Sequence, residues 1–143
     1  MSVESILNQK GSEVISTTVD VTLSDICVLL AEHKIGAVPV TGSSGELLGI
    51  ISERDVVKTL GRTGSEALSM HVSEVMTQNV ITCQERDSVL DALGQMSQGR
   101  FRHMPVVRGN RLVGMISIGD AVKYRIAQVE MEAEDLRSYI AMA

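Results

Sequence analysis

The 143-residue sequence predicts an α/β (α+β) fold made of two tandem β-α-β-β-α repeats related by quasi-two-fold symmetry, with flanking N- and C-terminal helices. Three observations predict it. The chain matches itself at a fixed offset: Val14-Ile15-Ser16 lies over Val80-Ile81-Thr82, and Asp25 over Asp91, 66 residues on. The only two prolines, Pro39 and Pro105, fall on one another at the same offset. After a one-residue deletion, Gly49-Ile50-Ile51-Ser52-Glu53-Arg54-Asp55 lies over Gly114-Met115-Ile116-Ser117-Ile118-Gly119-Asp120.

Each element follows from local pattern. Short apolar runs at Val14–Ser16 and Val80–Thr82 read as opening strands. Helices follow, with apolar positions Leu23, Ile26, Leu30 and Val89, Leu93, Met96 at helical spacing. Thr22 and Ser88 precede them as N-caps, each with an aspartate three residues later as a capping box. Strands through the prolines (Ala37–Val40, His103–Val107) lead to turns at Thr41–Gly45 and Arg108–Asn110. Further strands (Leu47–Ile51, Leu112–Ile116) run into helices that open at Ser52 and Ser117. A Gly/Ser/Thr-containing connector, Gly61–Ser69, and a short helical turn at Val72–Met76 join the copies. Residues 1–69 are expected to hold the first repeat with the N-terminal segment, and 70–143 the second with the C-terminal helix.

From Asp120 to Ala143 there is no Gly or Pro. Ile126, Val129, Ala133, Leu136 and Ile140 are spaced 3, 4, 3, 4, a heptad seam. Two readings stand together: a dimerisation helix, or a terminal helix that folds back on its own domain.

Composition narrows the function classes. One repeat of about 60 residues would bury only around 60% of its unfolded surface, so the copies are expected to pack face to face. Trp is absent and Phe101, Tyr124 and Tyr139 are the only aromatics, so the core rests on Val, Ile, Leu and Met. The net charge of −5 and the lack of a basic stretch disfavour nucleic acid. No apolar run approaches the ~20 residues that span a bilayer. Met1–Gly11 has neither a basic n-region nor an apolar h-region, so no signal peptide is expected. Two cysteines make no disulfide framework, and a cytoplasmic location with reduced thiols is expected. Cys27 and Cys83 have no CxxC partner, and His33 and His71 stand alone, so neither catalysis nor a metal site is expected.

The pattern resembles the CBS-domain pair, or Bateman module. The resemblance is carried by Ala37-Val38-Pro39-Val40 and His103-Met104-Pro105-Val106, by the two Gly-led Ser-x-x-Asp signatures, and by the Ser73-Glu74-Val75-Met76 turn. It covers about Ser12 to Lys123 and implies a stand-alone regulatory protein with an energy-sensing role that is not an enzyme and requires no cofactor. It further implies a regulatory ligand between the repeats (AMP foremost, or ADP, ATP, NAD or S-adenosylmethionine), a homodimer, and a regulated protein partner.

The residues suit such a ligand. An aspartate in Ser-x-x-Asp at a strand-to-helix junction can accept hydrogen bonds from both ribose hydroxyls, with Ser52 or Ser117 and free helix N–H groups facing phosphate. The same motif is also a plain capping box that needs no ligand. Arg54 in the first turn of a helix opposes the macrodipole by ~0.3–1 kcal/mol, which a bound anion would relieve; the alternative is a solvated arginine. Arg102 and His103 stand where the first copy has Gly36 and Ala37, and an arginine fork fits phosphate oxygens. Strand alternation puts these two on opposite faces, and Arg100 is expected to face solvent.

The resemblance implies that the basic strand of one repeat faces the Ser-x-x-Asp of the other, so one pocket is expected to combine Ser52, Arg54 and Asp55 with Arg102 and His103. The other, with Ser117 and Asp120, lacks a phosphate clamp, and Gly119 replaces the arginine there. Ser16 and Thr82 are candidates for the adenine edge, Val38 and Met104 for apolar walls around the base. The competing reading is a dimerising scaffold whose clefts stay empty.

Overall fold

In the computed structural model, which describes residues 1–142, the order of elements is α1 (Val3–Lys10), α2 (Leu23–His33), β1 (Ala37–Thr41), β2 (Leu47–Ser52), α3 (Glu53–Thr63), a 3₁₀ turn (Gly64–Ser69), α4 (Val72–Val75), α5 (Val89–Gly99), β3 (His103–Arg108), β4 (Arg111–Ser117) and α6 (Ile118–Met142). The mixed α/β architecture of two duplicated units stands as the sequence predicts it. Ala143, the last residue of the expected C-terminal helix, lies outside the described residues.

The duplication extends to register. β1 pairs antiparallel with β2 as Ala37↔Ser52, Val38↔Ile51 and Val40↔Gly49, with a bulge at Val40/Thr41. β3 pairs with β4 as His103↔Ser117, Met104↔Ile116 and Val106↔Gly114, with a bulge at Val106/Val107. The start of each first strand is thus held beside the serine that caps the next helix.

The opening strands are a correction. Val14–Ser16 and Val80–Thr82 form no strand; each segment touches its hairpin through one parallel bridge, Thr17↔Val40 and Cys83↔Val106. The prolines explain why. Pro39 and Pro105 lend their carbonyls to Thr17 N (3.0 Å) and Cys83 N (3.0 Å). A longer parallel ladder would need the N–H they lack. Val80 and Ile81 are left facing a cleft instead.

The connector Gly61–Ser69 is likewise more regular than expected. Thr59 and Thr63 hydroxyls donate to the carbonyls of Asp55 (2.8 Å) and Thr59 (3.0 Å), and α3 runs on to Thr63 before Gly64 at φ +68° ends it. The 3₁₀ turn then buries Ala67. On the helices, Thr22 makes the full capping box with Asp25, whereas Ser88 makes only the hydroxyl half, accepting from Asp91 N. Leu93 is half-buried and Ala92 takes the buried place in α5.

Two cores form, and chain order does not divide them. Leu23, Ile26, Val38, Val40, Ile51 and Val56 make the first, joined by Ala67 and Val72 from the linker. Val89, Met96, Met104, Val106, Ile116 and Ala121 make the second, joined by Val3, Ile6 and Leu7 of α1. The N-terminal segment, placed with the first repeat by sequence, therefore completes the second core, while α4 completes the first. The exchange is reciprocal: Val3 N donates to Asp87 O (2.8 Å) and Val72 N to Val21 O (2.9 Å). Burying three aliphatic side chains of α1, at roughly 1.5–3 kcal/mol each, makes each marginal repeat depend on the other.

α6 packs on the second core through Ile118, Ala121 and Tyr124 of its first two turns. Ile126, Val129, Leu136 and Ile140 of the heptad seam are 46–65% exposed, so the helix does not fold back on its domain. No helix among the described residues is long and apolar enough to cross a membrane.

Candidate functional site

A cleft of about 650 Å³ opens between the repeats. The first repeat supplies Gly36 and Ala37 from the lead into β1, Ile50 and Ser52 from β2, and Glu53, Arg54, Asp55 and Val57 from α3. The second supplies Thr77, Asn79, Val80 and Ile81 before α5, and Gly99 to His103 from the end of α5 to the start of β3. The expected gathering of Ser52, Arg54 and Asp55 with Arg102 and His103 is present in this one cleft. Three arginines (54, 100 and 102) face two carboxylates (Glu53 and Asp55).

Ser52 and Asp55 are positioned by the cap itself. Asp55 Oδ2 accepts from Ser52 N (2.9 Å) and from Ser52 Oγ (3.0 Å), and Asp55 N donates back to Ser52 Oγ (3.3 Å). The capping box and an open binding group coexist, because both bonds to the carboxylate use Oδ2. Arg54 reaches across the cleft: its Nη1 donates to the carbonyl of Arg100 (3.0 Å), the αL C-cap of α5 at φ +57°. A first-turn cation thus finds a partner in the negative end of another helix, which accounts for its placement without a bound anion. Arg100, expected to face solvent, lines the cleft.

His103 sits where the repeats meet. A Cβ on Gly36 would come within 3.2 Å of its Cε1 and 3.4 Å of Glu53 Oε1, so the glycine lets both approach. Burial pushes the His103 imidazole below the ordinary histidine range; Glu53 and Asp120 pull it up, Lys10 and Arg102 down.

Ser117 and Asp120 lie outside this cleft. Asp120 closes its own box, accepting from Ser117 N (2.9 Å), and also receives Lys10 Nζ at 2.7 Å. Burial alone would raise its carboxyl, but the hydrogen bonds from Lys10 and Ser117 hold it below the usual carboxylate range.

Four expectations need correction. Val38 and Met104 are fully buried and cannot wall a base; their side chains alternate inward and fill the two cores. Ile50, Val57, Val80, Ile81 and Phe101 provide the apolar lining instead. Ser16 lines a separate recess of about 230 Å³ with Val14, Thr41 and Leu112. Thr82 lines neither, because the chain enters its bridge at Cys83 and leaves Val80 and Ile81 toward the cleft. The signal missed was Ile81, an apolar residue with no core to face, 48% exposed.

Among the described residues no group of three His, Cys, Asp or Glu side chains could hold a metal ion. Burial, aided by Asp87, pushes the Cys83 thiol up to about 12, which leaves it unreactive as a nucleophile.

The sequence model of the CBS domain matches residues 3–62 and 72–127. The chain belongs to the CBS-domain family. This CBS pair is similar to the crystal structure of the CBS-domain containing protein ATU1752 from Agrobacterium tumefaciens, with 43% identity and a TM-score of 0.84 over 87% of this chain and 99% of that one. The CBS domain pair of protein MJ0100, solved in complex with 5′-methylthioadenosine and S-adenosyl-L-methionine, is 27% identical with a TM-score of 0.77, covering 90% of this chain and 98% of that one. The mitochondrial CBS domain-containing protein CBSX3 of Arabidopsis thaliana is 34% identical over 127 residues, which cover 86% of this chain. The match spans 62% of that relative's length, and 21% of the longer Arabidopsis protein CBSCBSPB2.

Proposed function

We propose that this CBS pair is a cytoplasmic regulatory module that binds an adenosine nucleotide, AMP foremost, between its repeats and passes occupancy to a protein partner. The observation that carries the reading is the convergence of Asp55 and Arg54 from one repeat with Arg102 and His103 from the other. The cleft volume is in the range of small-molecule sites. Ribose bonds to the free Oδ1 of Asp55; phosphate takes the guanidinium forks; the base lies among Ile50, Val80, Ile81 and Phe101. A ligand held from both sides favours one mutual angle of the repeats, by no more than its differential affinity for the two states.

The adenosyl class is supported by the ligands of MJ0100. Within that class, three arginines suit a phosphate better than the cationic sulfonium of S-adenosylmethionine. A thermal-shift series with AMP, ADP, ATP, NAD and S-adenosylmethionine tests the reading. A ligand at 100 times its dissociation constant should add about 2.7 kcal/mol of stability. Calorimetry should then show one tight AMP site per chain. No shift with any of the five would favour the second reading, a dimerising scaffold; the exposed seam of α6 supports a homodimer under either reading.

His103 makes the binding pH-dependent. Its folded value lies below the ordinary 6.5, so the free protein holds it neutral at pH 7. A phosphate beside it favours the imidazolium, so His103 takes up a proton on binding, and its contribution to AMP affinity grows as pH falls toward its lowered free-protein value. Calorimetry in buffers of different ionisation heat should show this uptake shrink in His103→Gln. Equal uptake in both proteins would place His103 away from the phosphate.

A further inference from the structure

The two helices that cross to the other repeat are related by an offset of 69 residues: Val3 N on Asp87 O matches Val72 N on Val21 O, and each helix lies over the glycine of a Gly-led signature. They differ in length, since α1 runs on to Lys10 whereas α4 stops at Val75. A Cβ on Gly49 would meet Met76 Sδ at 2.7 Å, and one on Gly114 would meet Leu7 Cδ2 at 2.8 Å. The architecture is alike; the chemistry at the tip is not. At that offset Asn79 stands where Lys10 does and has no charge to offer, and Asp55 forms no ion pair among the described residues. Lys10 Nζ donates to Asp120 Oδ2 (2.7 Å) and to the Met115 carbonyl (2.9 Å).

Asp120 is the twin of the carboxylate assigned above to ribose. Its Oδ2 is shared between Ser117 N and the Lys10 ammonium. The contact is half-buried, and α1 is fixed by Val3, Ile6 and Leu7 independently of the lysine.

We propose that Lys10 is a tethered occupant of the site around Asp120, the quasi-symmetric counterpart of the first cleft: its ammonium neutralises the Asp120 carboxylate and stands beside it in place of a ligand, where the twin Asp55 has no cation, and so confines adenosine nucleotide to the first cleft. This rests on the reading that the Ser-x-x-Asp carboxylate grips ribose. It adds a cause for inequality that the missing phosphate clamp does not supply. Lys10 blocks the sugar site, whereas Gly119, standing where the first signature has Arg54, merely fails to bind phosphate. An adenosyl compound without phosphate would otherwise fill both clefts equally.

The test is calorimetric titration of wild type, Lys10→Met and Lys10→Arg with adenosine and with AMP. Thermal melts confirm that each variant is folded. Lys10→Met should bind one more equivalent of adenosine than wild type; Lys10→Arg, which keeps a cation on Asp120, should not. If Lys10→Met binds no more adenosine or AMP than wild type, the proposal is overturned. So it is if Lys10→Met lowers AMP stoichiometry, since the lysine would then be a phosphate ligand. A wild type that binds nothing beside a Lys10→Met that binds one equivalent would overturn the first-cleft reading and support this one.

Discussion

Asp55→Ala is expected to raise the dissociation constant for AMP by about 10- to 100-fold while leaving the protein folded. Asp55 Oδ1 is the acceptor that the cap leaves free, and hydrogen bonds to a charged group contribute about 1.5–3 kcal/mol. At 1.4 kcal/mol for each tenfold change, one such loss accounts for the expected range. The fold loses the return bond from Ser52 N, and a lost cap costs about 1 kcal/mol, well within the 5–15 kcal/mol of a typical domain. Titration calorimetry beside a thermal melt separates the two effects. Unchanged affinity with a lowered melting temperature would mean that the carboxylate only caps α3. Asp55→Asn sharpens the comparison, since its amide oxygen can still accept from Ser52 N without the charge that the ribose hydroxyls meet.

Most of this architecture was legible because the duplication wrote it twice. Two copies of Gly-x-x-Ser-x-x-Asp in register located both strand-to-helix junctions, and the junctions located the cleft. What escaped was of two kinds. The first was direction. Alternation along a strand fixes that neighbours face opposite ways without saying which faces in, and Val38 and Met104 were placed on the ligand side when each fills a core. The second was non-local. Nothing in Val3-Glu4-Ser5-Ile6-Leu7 reveals that it completes the core of the later repeat, because that partnership depends on which way a connection crosses. The Arg54–Arg100 bridge was hidden for the same reason: its acceptor is a backbone carbonyl 46 residues away, and side-chain pattern carries no record of it. The proline effect was legible in principle, since a parallel ladder needs an N–H that Pro39 cannot give.

The misplaced methionine supplies the second large effect. Met104→Ala is expected to cost about 2–5 kcal/mol of stability, because a fully buried side chain leaves both lost transfer energy and a cavity. For a chain of this size about 2–4 °C of melting temperature goes with each kcal/mol, so the melt should fall by about 4–20 °C. Met104 stands opposite Ile116 in the register, and its core also holds Leu7 of α1. Loosening it therefore loosens the exchanged helix as well as its own hairpin. Met104→Leu, close in volume, should cost under about 1.5 kcal/mol. Below the melting transition, AMP affinity of both variants should stay within a few fold of wild type, since the adjacent His103 and Arg102, not Met104, face the cleft. A variant that melts like wild type but loses AMP would return Met104 to the wall of the binding site and reverse the assignment of faces along β3.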